Sequence, residues 1–86
     1  MTVTVLLSGL FAERAGGQRR FDVDGPTVEA ALQALPVADL ILLAGELRSL
    51  VNVYLDGVDV RELGGAAAQA PAGSELRVVA NVAGGS

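Results

Sequence analysis

The stretch SELRVVANVAGGS, residues 74–86, joins a strand pattern to a pair of glycines. Its residues alternate as in a strand that buries one face, with Leu76, Val78, Ala80 and Val82 on one side and Arg77 and Val79 on the other. Gly84 and Gly85 follow almost directly, although glycine costs backbone entropy to order and brings no side chain to pack. The glycine pair therefore belongs either to an unstructured terminus or to a segment that must pass through a narrow space.

Two further strands are predicted near the start of the chain. In TVTVLLS, residues 2–8, Val3, Val5 and Leu7 share one face, and QRRFDVD, residues 18–24, alternates around two apolar residues. A short helical turn ending in the glycine pair at 16–17 separates them. We expect the two strands to form a hairpin with a long connection.

The clearest helix is PTVEAALQAL, residues 26–35. Thr27 can cap its start, Glu29 suits its first turn and Pro36 stops it. Its apolar residues form one stripe at helical spacing, namely Val28, Ala31, Leu32 and Leu35. This face predicts a helix that covers one side of a sheet.

The middle of the chain is less regular. ADLILLAG, residues 38–45, predicts a second short helix, capped by Asp39 and ended by Gly45, or a packed loop. SLVNVYLDGVDVREL, residues 49–63, predicts two strands around the Asp56-Gly57 turn. Residues 64–73, rich in Ala and Gly, predict a loose connection with a weak helical turn at most.

The predicted order is strand, strand, long helix, short helix and three strands, which is an α+β arrangement. A single mixed sheet covered by one main helix would bury every apolar stripe. The first and last strands are both rich in apolar residues, so we expect them to form a parallel pair at the centre of the sheet. This is the ubiquitin-like β-grasp. At 86 residues we predict a single domain over 1–86, with a flexible C-terminal tail over 82–86.

Composition excludes several kinds of function. The chain has no Cys and no His, so it lacks a thiol nucleophile, the commonest general base and the usual soft metal ligands; we expect neither catalytic nor metal-binding residues. Its net charge of −4 argues against a nucleic-acid partner. No apolar run approaches the about 20 residues of a membrane span and no signal peptide is visible, so we expect a cytoplasmic protein with no membrane partner.

Three stretches together resemble the MoaD and ThiS family of ubiquitin-fold sulfur carriers, most closely MoaD-like carriers, including those that serve cysteine synthesis. LLSGLFAERAGG, residues 6–17, resembles the opening of the family. VNVYLDGVDVREL, residues 51–63, resembles its middle strand pair, and AGSELRVVANVAGG, residues 72–85, resembles its last strand and Gly-Gly tail. A Gly-Gly tail behind the last strand of a β-grasp pattern is the most specific of these features.

The resemblance implies a carrier and not an enzyme. An E1-like adenylating enzyme of the MoeB or ThiF type would use ATP to activate the Gly85 carboxylate, and a sulfur donor would convert it to a thiocarboxylate. Gly84 and Gly85 would lie extended in the tunnel of that enzyme, where a Cβ would clash. The sulfur would pass to a synthase in molybdopterin, cysteine or related sulfur-metabolite biosynthesis. The chain would need no bound cofactor and is a candidate small subunit of such a synthase.

Ser86 departs from the family pattern, which ends at the second glycine. We hypothesise that a peptidase, of the JAMM type in some relatives, removes Ser86 before activation. A cloning remnant and a tunnel that tolerates serine are the alternatives. As a nucleophile Ser86 has no base nearby in the sequence.

Partner recognition is assigned to apolar residues that strand parity turns outward. They are Leu6, Tyr54 and Val79, and we add Val82 beside the tail. Asp56 and Asp59 are interpreted as turn residues, and Arg61 and Glu62 as ordinary surface charges on a strand. Two other functions stay open: a ubiquitin-like modifier joined to protein amines through Gly85, and a β-grasp interaction module that does not react.

Overall fold

A five-stranded mixed sheet organises the molecule. The structure, a computed structural model, describes residues 2–80, so the predictions for Val82, Gly84, Gly85 and Ser86 fall outside it. The strands are β1 (Val3–Leu7), β2 (Arg20–Val23), β5 (Val51–Leu55), β6 (Val58–Asp59) and β7 (Glu75–Ala80). Their order in the sheet is β2-β1-β7-β5-β6, and two further strands, β3 (Leu42–Leu43) and β4 (Glu46–Leu47), form a separate hairpin.

The central pair of strands is β1 and β7, which run parallel, while the other neighbours in this sheet are antiparallel. Val5 lies opposite Leu76, and Val53 lies opposite Val78, so apolar residues from three strands meet on one face. All four side chains are fully buried. The alternation in the sequence therefore identified both the central strands and the face that each one buries.

Helix α2 (Val28–Gln33) covers this face. Thr27 Oγ1 accepts a hydrogen bond from the Ala30 amide at 3.1 Å, which confirms the predicted cap. The predicted stripe is buried throughout, but the helix ends at Gln33, and Leu35 enters the core from the following turn. The long helix of the sequence prediction is thus a short helix with a packed turn.

The segment after α2 differs most from its prediction. Helix α3 (Ala38–Ile41) has Val37 at its N-cap, so Asp39 lies in the first turn and does not cap. It is followed by a hairpin of β3 (Leu42–Leu43) and β4 (Glu46–Leu47), which the sequence analysis missed. Gly45 belongs to the hairpin turn, where Ala44 and Gly45 have φ of 55° and 81°.

The remaining connections use short helices. Helix α1 (Gly9–Arg14) follows β1 as predicted, and its Phe11 and Ala12 join the core. Two 3-10 helices, at Val60–Leu63 and Gly65–Ala67, follow β6, so the predicted second strand of that hairpin is short. The segment 64–73 is anchored and not loose, because Val28 donates to Ala68 O at 2.8 Å and Ala70 to Pro26 O at 3.0 Å.

Candidate functional site

The face of the sheet opposite α2 carries the side chains predicted to meet a partner. Leu6, Tyr54 and Val79 are half-buried and alternate with fully buried neighbours, so they lie on this open face. Position alone does not assign a partner to them, and their role stays a prediction.

An arginine interrupts the predicted apolar cluster. Arg77 lies opposite Leu6 on one side and Tyr54 on the other, so the two apolar residues are not neighbours. Its guanidinium lies 3.7 Å from the Glu75 carboxylate, and both side chains are about half exposed. Such an exposed ion pair contributes little to stability. The open face is therefore a mixed apolar and charged surface, which parity alone did not reveal.

The edge where β7 ends brings together several chain segments. Here β1 also ends and β5 begins, because Leu7 lies opposite Val78 and Val51 lies opposite Ala80. Ser8 closes the edge, since its hydroxyl and its amide both donate to Val78 O, at 3.1 and 3.2 Å. Gly85 is five residues beyond Ala80, within reach of about 17 Å in an extended chain.

A groove of about 430 Å³ opens at this edge, on the side of the sheet that carries the helices. Helix α1, helix α3, the segment before β5 and the end of β7 form its walls, with the lining residues Leu10, Phe11, Arg14, Leu40, Arg48, Ser49, Leu50, Val51 and Ala80. Leu10 is 50% and Leu50 66% exposed, so two large apolar side chains that meet solvent lie in the same groove. The described lining includes two of the six arginines of the chain and no carboxylate.

Arg61 holds one wall of the groove in place. Its guanidinium donates to Val51 O at 2.7 Å, to Arg48 O at 3.2 Å and to Asn52 Oδ1 at 2.9 Å. Asp59 Oδ1 in turn accepts from the Arg61 amide at 2.9 Å, which starts the 3-10 helix. Arg61 and Glu62 are exposed, as predicted, but they lie in a 3-10 helix and not on a strand. Arg61 also ties the segment 48–52 to this helix.

The other singled-out carboxylate also has a structural task. Asp56 Oδ1 accepts from the Glu75 amide at 2.9 Å, and Asp56 has a φ of 49°, a value that Asp tolerates better than most residues. This bond joins the β5–β6 turn to the start of β7. Asp56 is a turn residue, as predicted, whereas Asp59 ends β6 and caps the 3-10 helix that follows.

Sequence reasoning missed the groove. Its walls come from segments up to 70 positions apart, between Leu10 and Ala80, so no local pattern marks it. The one available signal was the position of Leu10 and Leu50 outside the buried stripes. Within residues 2–80, no helix is both long and apolar enough to cross a membrane.

Comparisons with known proteins support the β-grasp fold and the resemblance to ubiquitin-fold sulfur carriers. No protein-family model matches the chain. The sulfur carrier protein CysO of Mycobacterium tuberculosis is 29% identical over 93 aligned positions, covering 99% of this chain and all of the relative. CysO in the crystal structure of the Amycolatopsis orientalis BexX/CysO complex superposes with a TM-score of 0.85 at 27% identity, covering 95% and 98% of the two chains.

One of the similar solved structures is that of a protein modifier. The small archaeal modifier protein 1 from Haloferax volcanii superposes with a TM-score of 0.77 at 27% identity, covering 98% of this chain and 99% of its own. These matches establish the ubiquitin-like β-grasp class predicted from the strand and helix pattern. Within that class, the chain is homologous to the CysO sulfur carrier proteins, which confirms the resemblance to ubiquitin-fold sulfur carriers.

Proposed function

We propose that this chain carries sulfur as a thiocarboxylate on Gly85. The observation that carries the proposal is the β-grasp core whose central strand, β7, leads within five residues to a Gly-Gly pair, in a chain homologous to CysO over 99% of its length. The relatives are sulfur carrier proteins, which agrees with the prediction that the chain is not itself an enzyme.

The chemistry requires little of the carrier beyond the tail. A carboxylate oxygen of Gly85 attacks the α-phosphorus of ATP in the partner enzyme and releases pyrophosphate. A sulfur nucleophile such as sulfide then attacks the carbonyl carbon of the acyl adenylate and releases AMP. The product is the thiocarboxylate, which passes its sulfur to an acceptor. Acid, base and nucleotide site all belong to the adenylating enzyme, which an E1-like protein of the MoeB or ThiF type would supply.

Ser86 is removed first in this proposal, because the reactive carboxylate must belong to Gly85. A JAMM-type metalloprotease is the class of enzyme proposed for this step. Glycine at 84 and 85 permits the close backbone approach that a narrow tunnel demands. We place these events in the cytoplasm.

Partners bind the folded part of the chain as well as the tail. The CysO of Amycolatopsis orientalis was crystallised in a complex with BexX, which supports a protein partner for this chain too. We propose that the open face, through Leu6, Tyr54 and Val79, forms part of such contacts, with Val82 beyond the described residues. The acceptor would be a synthase of cysteine, molybdopterin or related sulfur-metabolite biosynthesis, and the chain its carrier or small subunit.

A defined reaction tests the proposal. The chain ending at Gly85 is incubated with ATP, sulfide and the adenylating enzyme of its own cell, and pyrophosphate release and thiocarboxylate formation are measured. We expect both products with the chain ending at Gly85 and neither with a chain ending at Ala83. Equal pyrophosphate release with and without the two glycines would overturn the proposal.

A second candidate function is a protein modifier, which the likeness to the small archaeal modifier protein favours. It shares the adenylation step but joins Gly85 to protein amines. The chain has no lysine, so it cannot form lysine-linked chains on itself. Covalent adducts of the chain that resist reducing agents and disappear with Gly85→Ala would identify this function. A β-grasp module that does not react would keep its function after that substitution.

A further inference from the structure

We infer that the groove at the end of β7 is a docking site for the adenylating enzyme, and that it receives an apolar segment of that enzyme bearing carboxylates. This inference rests on the proposed function and goes beyond it, because the proposed function specifies the tail and the open face only. Three features of the groove support it.

The first feature is distance. The enzyme must hold Gly85, which lies five residues and about 17 Å of extended chain beyond Ala80. Ala80 itself lines the groove. An enzyme that encloses most of this short tail therefore brings its own surface against the carrier where β7 ends. The groove is an apolar concavity at that point.

The second feature is exposed apolar surface. Leu10 and Leu50, at 50% and 66% exposure, both line the groove, together with the buried Phe11 and Val51. Leu40, half-buried, adds a third large apolar side chain. Apolar anchors that enter such a pocket and lose their water supply much of the binding energy of protein interfaces.

The third feature is charge. The chain is negative overall, at −4, yet the described lining of the groove holds Arg14 and Arg48 without a carboxylate. Arg48 Nε donates to Asp39 O at 3.0 Å, which fixes its side chain, and within residues 2–80 the Arg14 guanidinium has no hydrogen-bond or ion-pair partner. Complementary charge directs and orients association. The segment that fits this groove thus carries leucine-sized side chains flanked by Asp or Glu.

Arg61 holds the backbone of one groove wall in place. Through its bonds to Arg48 O and Val51 O, it fixes the backbone on both sides of Ser49 and Leu50. The same guanidinium bonds to Asn52 Oδ1 on the open face. Arg61 is therefore a positioning residue between the groove and the open face, and a docked enzyme can contact both.

Adenylation kinetics test the inference directly. ATP–pyrophosphate exchange is measured with the adenylating enzyme of the same cell and carriers ending at Gly85. The groove variants are Leu50→Ser and Arg14→Glu. Their matched controls are Leu43→Ser, an equally exposed leucine outside the groove, and Arg19→Glu, an exposed arginine outside it. Circular dichroism and urea unfolding confirm that all four variants fold.

We expect each groove variant to raise the KM for the carrier by about tenfold or more, as loss of an interface anchor does, with kcat nearly unchanged. The controls should keep the wild-type KM. The wild-type KM should also rise with salt, and less so for Arg14→Gln, because salt screens the proposed contact with carboxylates.

Other results would contradict the inference in distinguishable ways. If the wild-type carrier supports exchange and the groove variants keep its KM, the groove is not a docking site and the proposed function stands. If the wild-type chain is a dimer by sedimentation and Leu50→Ser makes it a monomer without changing KM, the groove is a contact between copies. If no carrier supports exchange, the proposed function fails and this inference fails with it.

Discussion

The two faces of the sheet differ sharply although the same strands build both. On β7, Val78 is fully buried under the helices, while the next residue, Val79, is half-exposed on the open face. The covered face is uniformly apolar, whereas the open face mixes Leu6 and Tyr54 with the Arg77–Glu75 ion pair. The covered face is packed against the helices, whereas apolar and charged side chains of the open face are accessible to solvent. The comparison therefore separates residues that hold the fold from residues available for recognition.

The largest effect is expected from the helix that covers the buried face. Leu32 of α2 is fully buried, so Leu32→Ala should lower the free energy of unfolding by about 3 kcal/mol through lost burial and a residual cavity. Leu43→Ala, at 61% exposure, is the control and should change it by less than about 0.5 kcal/mol. Urea unfolding followed by circular dichroism measures both. Similar losses at the two positions would contradict the assignment of the core.

The second test compares identical residues on the two faces. Val78→Ala should cost about 2 kcal/mol, because two buried methyl groups are lost and a cavity is left. Val79→Ala, one position along β7, should cost less than about 1 kcal/mol, because the Val79 side chain lies on the open face and is already partly exposed to solvent. Urea midpoints in the same buffer give the difference. Equal costs would mean that the open face is packed in solution, for example against a second copy.

The third test concerns the hydrogen bonds by which Arg61 joins the groove wall to the open face. Arg61→Ala removes the bonds to Val51 O, Arg48 O and Asn52 Oδ1 and should cost about 1.5 kcal/mol. Arg61→Lys should recover only part of this, because an ammonium cannot reproduce the planar fork of donors. Arg19→Ala is the exposed control and should be nearly neutral. Thermal unfolding is a suitable measurement, and full recovery by lysine would contradict the geometry.

The smallest effect is expected at the start of α2. Thr27→Ala leaves the Ala30 amide without its cap acceptor and should cost about 1 kcal/mol. Thr27→Ser keeps the hydroxyl and should remain close to wild type in the same unfolding experiment. A loss with serine as large as that with alanine would show that the methyl group, and not the hydrogen bond, matters there.

Sequence analysis correctly predicted the elements in which burial of one side produces a regular spacing of apolar residues. The alternation in β1, β5 and β7 and the stripe in α2 predicted the sheet, its buried face and the covering helix, because burial on one side imposes those spacings. The β3–β4 hairpin was missed because two-residue strands have no measurable period. Its turn also uses Ala44 at a positive φ, where the usual signal is Asn or Gly.

The candidate site was predictable only in part. The glycine pair is visible in the sequence because it follows the pattern of the last strand almost directly, and parity placed Leu6, Tyr54 and Val79 on the open face. The groove was not predictable, because it exists only when α1, α3 and the segment before β5 meet at the end of β7. The role of Arg61 likewise depends on carbonyls 10 and 13 positions away that face its guanidinium only in the folded chain.

The central claim, that Gly85 carries sulfur, is tested most directly by the intact mass of the untagged protein purified from its own cells. We predict a species that lacks the seryl residue of position 86 and has one oxygen of the Gly85 carboxylate replaced by sulfur. A chain that still ends at Ser86, and that keeps its mass after incubation with ATP, sulfide and the adenylating enzyme and protease of the same cell, would contradict the account.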